Sequence, residues 1–259
     1  MSDIHGCFNE FKKMLKLIKF SPKDELYILG DIIDRGTSPI ETLLYIKKQK
    51  NIHVLLGNHE YMMMDYFKEK EYDENSTYCK DAKHLWIRNG GKITLEQFLE
   101  KDKKTQEELL AYINNFPYYF IRHVNGKEYL MVHAGAYPYQ EDDIKTFLKQ
   151  QTLEDIIWIR DDFLYSSVKH PFTIIFGHTP IASFQNMLRT FDNIGKQHNS
   201  ENLIEKLEDY KIAYFNNKIA IDGGCVFGYY LTCICLDTGK EYFVMNEETE
   251  KSLKESLEA

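Results

Sequence analysis

The sequence predicts an α/β protein in which two β-sheets pack as a sandwich flanked by helices. Three observations predict it. Up to Gly57, apolar runs that end at glycine alternate with amphipathic stretches, the texture of strand–helix–strand units. Beyond Pro117 the chain turns rich in short strand signals, which implies a second sheet on the first. Chemistry-bearing side chains also gather where strands should end, at Gly30-Asp31-Ile32-Ile33-Asp34-Arg35-Gly36, Gly57-Asn58-His59-Glu60 and Gly177-His178-Thr179-Pro180. The carboxyl ends of strands are where α/β sheets place their sites.

Phe8, Phe11, Leu15 and Ile18 fall at helical spacing, so Phe8 to Ile18 reads as an amphipathic helix that Ser21-Pro22 stops. Glu25 to Leu29 is a buried strand running into Gly30. Ser38-Pro39 opens a second helix through Ile46, with proline in its first turn, and His53 to Leu56 is the next strand. Glu60 to about Asn115 is polar and helical, broken at Asn89-Gly90-Gly91, and reads as a cap-like insert in a single domain spanning 1–259. Met62-Met63-Met64, with Tyr61 and Phe67, reads as helix core beneath that insert. Tyr118 to Val124 and Lys127 to Val132 flank Asn125-Gly126, a strong hairpin signal. Thr173 to Phe176, Lys218 to Ile221, Tyr229 to Leu236 and Glu241 to Met245 read as strands, the last two joined at Asp237-Thr238-Gly239. Asn246 to Ala259 is a charged tail with weak helical periodicity.

Composition narrows the function classes. Hydrophobic residues at 43% suit a 259-residue globular chain, and the net charge of −8 argues against a general nucleic-acid or anionic-membrane surface. No stretch approaches the ~20 apolar residues of a membrane span. Five cysteines lack zinc-finger spacing, and Cys233-Ile234-Cys235 alternates within a strand, so free thiols in a reducing compartment are expected. The expectation is a soluble, cytoplasmic protein.

Asp3 and His5 stand two apart, so both can address one metal from an extended strand end. Asp31 can bridge to a second metal, to which Asn58 offers a carbonyl oxygen and His133 and His178 a ring nitrogen each. Two cations ~3.5–4 Å apart can activate a water between them, the apparatus of phosphate-ester hydrolysis. Arg35 can fork two phosphate oxygens, and Arg160 in Trp158-Ile159-Arg160-Asp161 is a second candidate clamp. His59 can protonate a departing oxygen, with Asp34 holding its imidazole charged and aimed. His53, His84, His123, His170 and His198 read as structural or surface residues, and Asp222 as the shaper of the Gly223-Gly224 turn.

Asp-x-His-Gly, Gly-Asp-x-x-Asp-Arg-Gly, Gly-Asn-His-Glu, His-Ala-Gly and Gly-His-Thr-Pro occur here in the order of the calcineurin-like metallophosphoesterases, which the chain resembles over about residues 2–245. Gly-Asn-His-Glu and the Trp-x-Arg-Asp segment resemble the bacterial and phage phosphoprotein phosphatase branch in particular. The resemblance implies a first metal on Asp3, His5 and Asp31, and a second on Asp31, Asn58, His133 and His178. It implies phosphate binding by Arg35 and Arg160, leaving-group assistance by His59 and Asp34, and direct attack by a metal-bridging hydroxide. The mixed nitrogen and oxygen donors suit manganese, iron or zinc. The expected substrate is phosphoserine or phosphothreonine in a protein. The alternatives are a small phosphoester, namely a dinucleoside polyphosphate such as diadenosine tetraphosphate or another nucleotide ester, and a non-catalytic metal-binding module. Relatives place an apolar strand directly before the first cassette, where this chain has only Met1-Ser2. The expectation is a sheet one strand short through truncation, with Asp3 and His5 on a poorly ordered terminus.

Overall fold

The computed structural model describes residues 1–68, 85–184 and 211–258. Helix α1 (Phe8–Leu17) turns Phe11, Met14 and Leu15 inward, as the helical spacing requires. Strand β1 (Leu26–Ile28) pairs in parallel with β2 (Ile52–Val54) across α2 (Pro39–Lys47). Strand β2 ends two residues short of the predicted run. Leu55 still donates to Ile28, but the Leu56 amide turns to the carbonyl of Pro117.

Helix α3 (Asn58–Lys68) begins on the third cassette and buries Met62 and Met63 in the core. After a wide helical turn at Ile87–Gly91 come α4 (Lys92–Leu99) and α5 (Lys103–Asn114), the latter capped by Asp102. Helix α4 packs on α2, and α5 on both α2 and α3. The rest of the insert, 69–84, with His84, lies outside the described residues, as does His198.

The predicted hairpin forms as β3 (Tyr119–Val124) and β4 (Lys127–Val132) around Asn125-Gly126, both with positive φ. Three short helices follow, α6 (Ile144–Gln150), α7 (Leu153–Ile157) and α8 (Asp161–Leu164), none of them predicted. Strand β5 (Thr173–Phe176) lies parallel to β4 and to β7 (Lys218–Ala220). Sequence reasoning missed β6 (Ala213–Phe215), which closes a hairpin onto β7 through Asn216-Asn217. Both asparagines are left-handed (φ 45° and 58°), the geometry a two-residue hairpin loop demands. Strands β8 (Tyr230–Ile234) and β9 (Glu241–Met245) pair antiparallel, and α9 (Glu247–Glu258) gives the charged tail helical form.

Strand alternation sorts these elements into layers. In the five-stranded mixed sheet β3-β4-β5-β7-β6, Leu130, Val132, Ile174 and Phe176 face α6–α8. Met131, Ile175 and Ile219 face the other way, onto Leu29, Leu55 and Ile221 beside the small sheets β1-β2 and β8-β9. The outer face of those small sheets (Ile28, Val54, Leu231, Val244) packs on α1–α5. The sandwich expected from sequence is therefore present, with one half continuous and the other in two pieces.

Between those pieces, β1 and β8 line a cavity of about 410 Å³, with Met131, Ile175 and Ile221 below and Met1 at one end. Met1 is buried, its amino group donating to the Tyr27 carbonyl at 3.0 Å and its carbonyl accepting from Leu29 at 3.0 Å. Asp3 donates its amide to Gly30 at 3.2 Å. The first residues thus run alongside β1 with strand-like bonding, and Asp3 and His5 do not hang from a loose end. Backbone pairing and burial replace the expected disorder. No described helix is long and apolar enough to cross a membrane.

Candidate metal centre

The cassettes converge where β1, β2, β4 and β5 end. Left-handed backbone is concentrated there: Asp3 (φ 52°), His5 (45°), Asp31 (54°), Asp34 (73°), Arg35 (66°) and His178 (65°) all adopt it. Non-glycine residues rarely take this conformation, and its clustering marks a functional constellation. Two glycines explain themselves by close approach. A side chain on Gly57 would strike the Asp31 carboxylate, and one on Gly177 would strike that of Asp3.

Asp31 stands in the middle. Its Oδ1 lies 3.5 Å from His133 Nε2, and its Oδ2 lies 3.6 Å from His5 Nε2 and 3.9 Å from His59 Nε2. Two groups of donors result, His5-Asp31-His59 and Asp31-His133-His178, each buried and close enough to surround one cation. Asn58 belongs with the second, its Oδ1 lying 2.9 Å from His133 Nε2 and 2.8 Å from His178 Nδ1. Asp3 stands beside them, its carboxylate accepting the His178 amide at 3.0 Å and the Ser2 hydroxyl.

The donors fit a cation on physical grounds. His133 Nδ1 faces the Leu29 carbonyl at 2.6 Å, which fixes its proton there and leaves Nε2 a bare lone pair. That lone pair and the Asn58 oxygen then face each other at 2.9 Å with no hydrogen to share. Two ligands of one cation, each ~2.1 Å from it, stand at about this separation. His5 Nδ1 likewise faces the Ile33 carbonyl at 2.8 Å, and its free Nε2 takes an Arg35 guanidinium nitrogen at 2.6 Å. His178 Nε2 is buried without a partner among the described residues. Burial drives Asp31 well above the usual carboxylate range, with Asp3 and Glu60 adding repulsion, while burial holds His5, His59, His133 and His178 low. Neutral imidazoles around crowded carboxylates are a set that cations relieve.

His59 and Asp34 meet as predicted, Nδ1 to Oδ2 at 2.6 Å. The contact aims the imidazole. Burial, then the nearby Arg35 and His133, push its pKa well down, and burial lifts Asp34 to about 7. Sequence reasoning missed what holds Asp34. Trp86 Nε1 donates to Oδ2 at 2.8 Å and the Thr94 hydroxyl to Oδ1 at 2.6 Å. It also missed Glu60, whose carboxylate accepts the amides of Asp31 (2.9 Å), Ile32 (2.8 Å), Ile33 (3.3 Å) and Gly57 (3.1 Å). Its place beside His59, three residues beyond Gly57, was the available signal. Arg160 is exposed at the mouth and anchored to the Thr179 hydroxyl at 2.9 Å. Asp222 accepts the Gly224 amide at 2.9 Å, as a turn-shaping residue should.

The calcineurin-like phosphoesterase family profile matches residues 1–216, and the chain belongs to that family. The protein of Buchnera aphidicola subsp. Baizongia pistaciae named bis(5'-nucleosyl)-tetraphosphatase, symmetrical, is 25% identical over 97% of this chain and 98% of its own length. A protein of the same name from Shewanella loihica is 30% identical over 67% of this chain, which spans about half (56%) of that relative. The crystal structure of a provisionally assigned diadenosine tetraphosphatase superposes with a TM-score of 0.61 at 16% identity, covering 95% of this chain and 91% of that one. A metallophosphoesterase from Sphaerobacter thermophilus gives 0.51 at 15% identity, over 99% and 91%. Both share the fold.

Proposed function

We propose that this metallophosphoesterase cleaves dinucleoside polyphosphates, of which diadenosine tetraphosphate is the reference compound. The observation that carries the substrate class is the end-to-end similarity to a relative named for that activity. The phosphoprotein substrate expected from sequence rests on Gly57-Asn58-His59-Glu60 and Trp158-Ile159-Arg160-Asp161 and is the competing reading.

In the proposed arrangement Asp31, Asn58, His133 and His178 hold one divalent cation. Asp31 with His5 and Asp3 holds the other, and His59 stands close enough to compete for that place. Manganese, iron and zinc all suit these donors. Bound there, such cations neutralise phosphate charge and activate water for attack on phosphorus. Arg35 and Arg160 reach phosphate oxygens from the exposed side, and the buried carboxylates exclude a second anion from the floor. His59, aimed by Asp34, serves the departing oxygen. A nucleoside diphosphate leaves as a far weaker base than a serine alkoxide, so an anhydride asks less of an acid at His59 than a phosphoserine does.

The test is one preparation with added manganese, assayed against diadenosine tetraphosphate and a panel of phosphoserine and phosphothreonine peptides. The expected result is a higher kcat/KM on the dinucleotide, yielding two nucleoside diphosphates and abolished by chelation. Preference for the peptides would move the assignment to a phosphoprotein phosphatase.

A further inference from the structure

We propose that Phe227 is a stacking platform for a nucleobase at the mouth of the metal centre, an inference that rests on the dinucleotide reading above. Phe227 ends a 3₁₀ turn (Cys225–Phe227) set between two left-handed glycines, Gly224 (φ 71°) and Gly228 (φ 89°). Four hydrogen bonds fix the turn: Gly224 to Asp222 Oδ1, Phe227 and Tyr229 to the Gly224 carbonyl, and Gly228 to the Cys225 carbonyl. Cys225 and Val226 pack into the core, while Phe227 is 53% exposed. The fold therefore spends a rigid turn on holding a phenyl ring in water.

A single exposed aromatic side chain is unremarkable in itself. Its neighbour gives it meaning. The Arg35 guanidinium lies 5.3 Å from the ring centroid, within cation–π range, and the same guanidinium lies 2.6 Å from His5 Nε2. Arg35 is pinned from its other side by Gly90, whose carbonyl accepts its amide at 3.2 Å and where a side chain would strike Arg35 Cγ. Phenyl ring, guanidinium and the His5 imidazole thus form a short row from solvent to the centre. When Arg35 grips a phosphate, the next group along the substrate meets Phe227. For a nucleotide that group is a ribose and its base. Phenylalanine has no donor or acceptor, so recognition is by π-face, tolerant of base identity and stronger for the larger purines.

Phe227→Ala and Phe227→Trp, assayed on diadenosine tetraphosphate and on inorganic tetraphosphate, test this. Both substrates present phosphoanhydride bonds and only one carries bases. In Phe227→Ala the KM for the dinucleotide should rise about tenfold more than that for inorganic tetraphosphate, with little of the effect in kcat. Phe227→Trp should restore the dinucleotide KM. Equal shifts for both substrates would assign Phe227 to the support of Arg35 and overturn the proposal, as would no shift for either. A wild-type enzyme that cleaves inorganic tetraphosphate but not the dinucleotide would defeat the substrate reading, and the stacking role with it. Dinucleotide cleavage that ignores the substitution defeats the stacking role alone.

Discussion

The two halves of the metal centre are held by different means. His133 and His178 follow β4 and β5, neighbours in a continuous five-stranded sheet, and Gly177 donates to the His133 carbonyl at 2.7 Å, so the ladder itself reaches the site. Asp31 and Asn58 follow β1 and β2, strands of three residues in a sheet of two. There the ladder stops early, and Glu60 replaces it by gathering four backbone amides onto one buried carboxylate. A site half built on a complete sheet inherits its geometry. A half built at a sheet's margin depends on individual side chains, and is correspondingly easier to break.

Asp31 belongs to both halves, so Asp31→Asn should have the largest effect. We expect a loss on the order of a thousandfold in kcat/KM, with fewer than two metals per chain by elemental analysis; full activity would refute a shared carboxylate. His59→Asn comes next. Turnover should fall about a hundredfold while metal content holds, whereas parallel losses would show that His59, 3.9 Å from Asp31, is itself a ligand. Glu60→Gln should lower stability to urea by about 2 kcal/mol, because one carboxylate oxygen becomes a donor facing donors. Wild-type stability in that variant would remove Glu60 from its structural role. Thr94→Val should be mildest, about a tenfold loss in kcat and about 1 kcal/mol in stability, since the Asp34 amide and carboxylate both lose its hydroxyl, read against Trp86→Phe as its partner on Asp34.

The same contrast separates what sequence made legible. The hairpin around Asn125-Gly126, β5 and the donors after glycine-terminated strands were readable because they rest on local turn chemistry and period-two patterning. Trp86 and Thr94 were not, since each reaches Asp34 across more than fifty residues and only tertiary packing unites them. Nor did the sequence reveal the left-handed backbone at six site residues, where tertiary contacts override local preference. Helices α6–α8 are too short for periodicity to register, though the capping box at Thr152 and Asp155 was a usable start signal for α7.

The buried amino group of Met1 carries a practical consequence. Met1 lines the cavity between β1 and β8, so residues joined ahead of it would run between the facing edges of those two strands. A purification tag on that end becomes, for its last few residues, part of the sheet. A linker of alternating valine and threonine should pair with both edges and raise Tm, whereas a glycine-proline linker should lower it. A tag beyond α9 should do neither. Thermal melts of the three fusions would show whether the junction, rather than the tag, sets how well this enzyme survives its own purification.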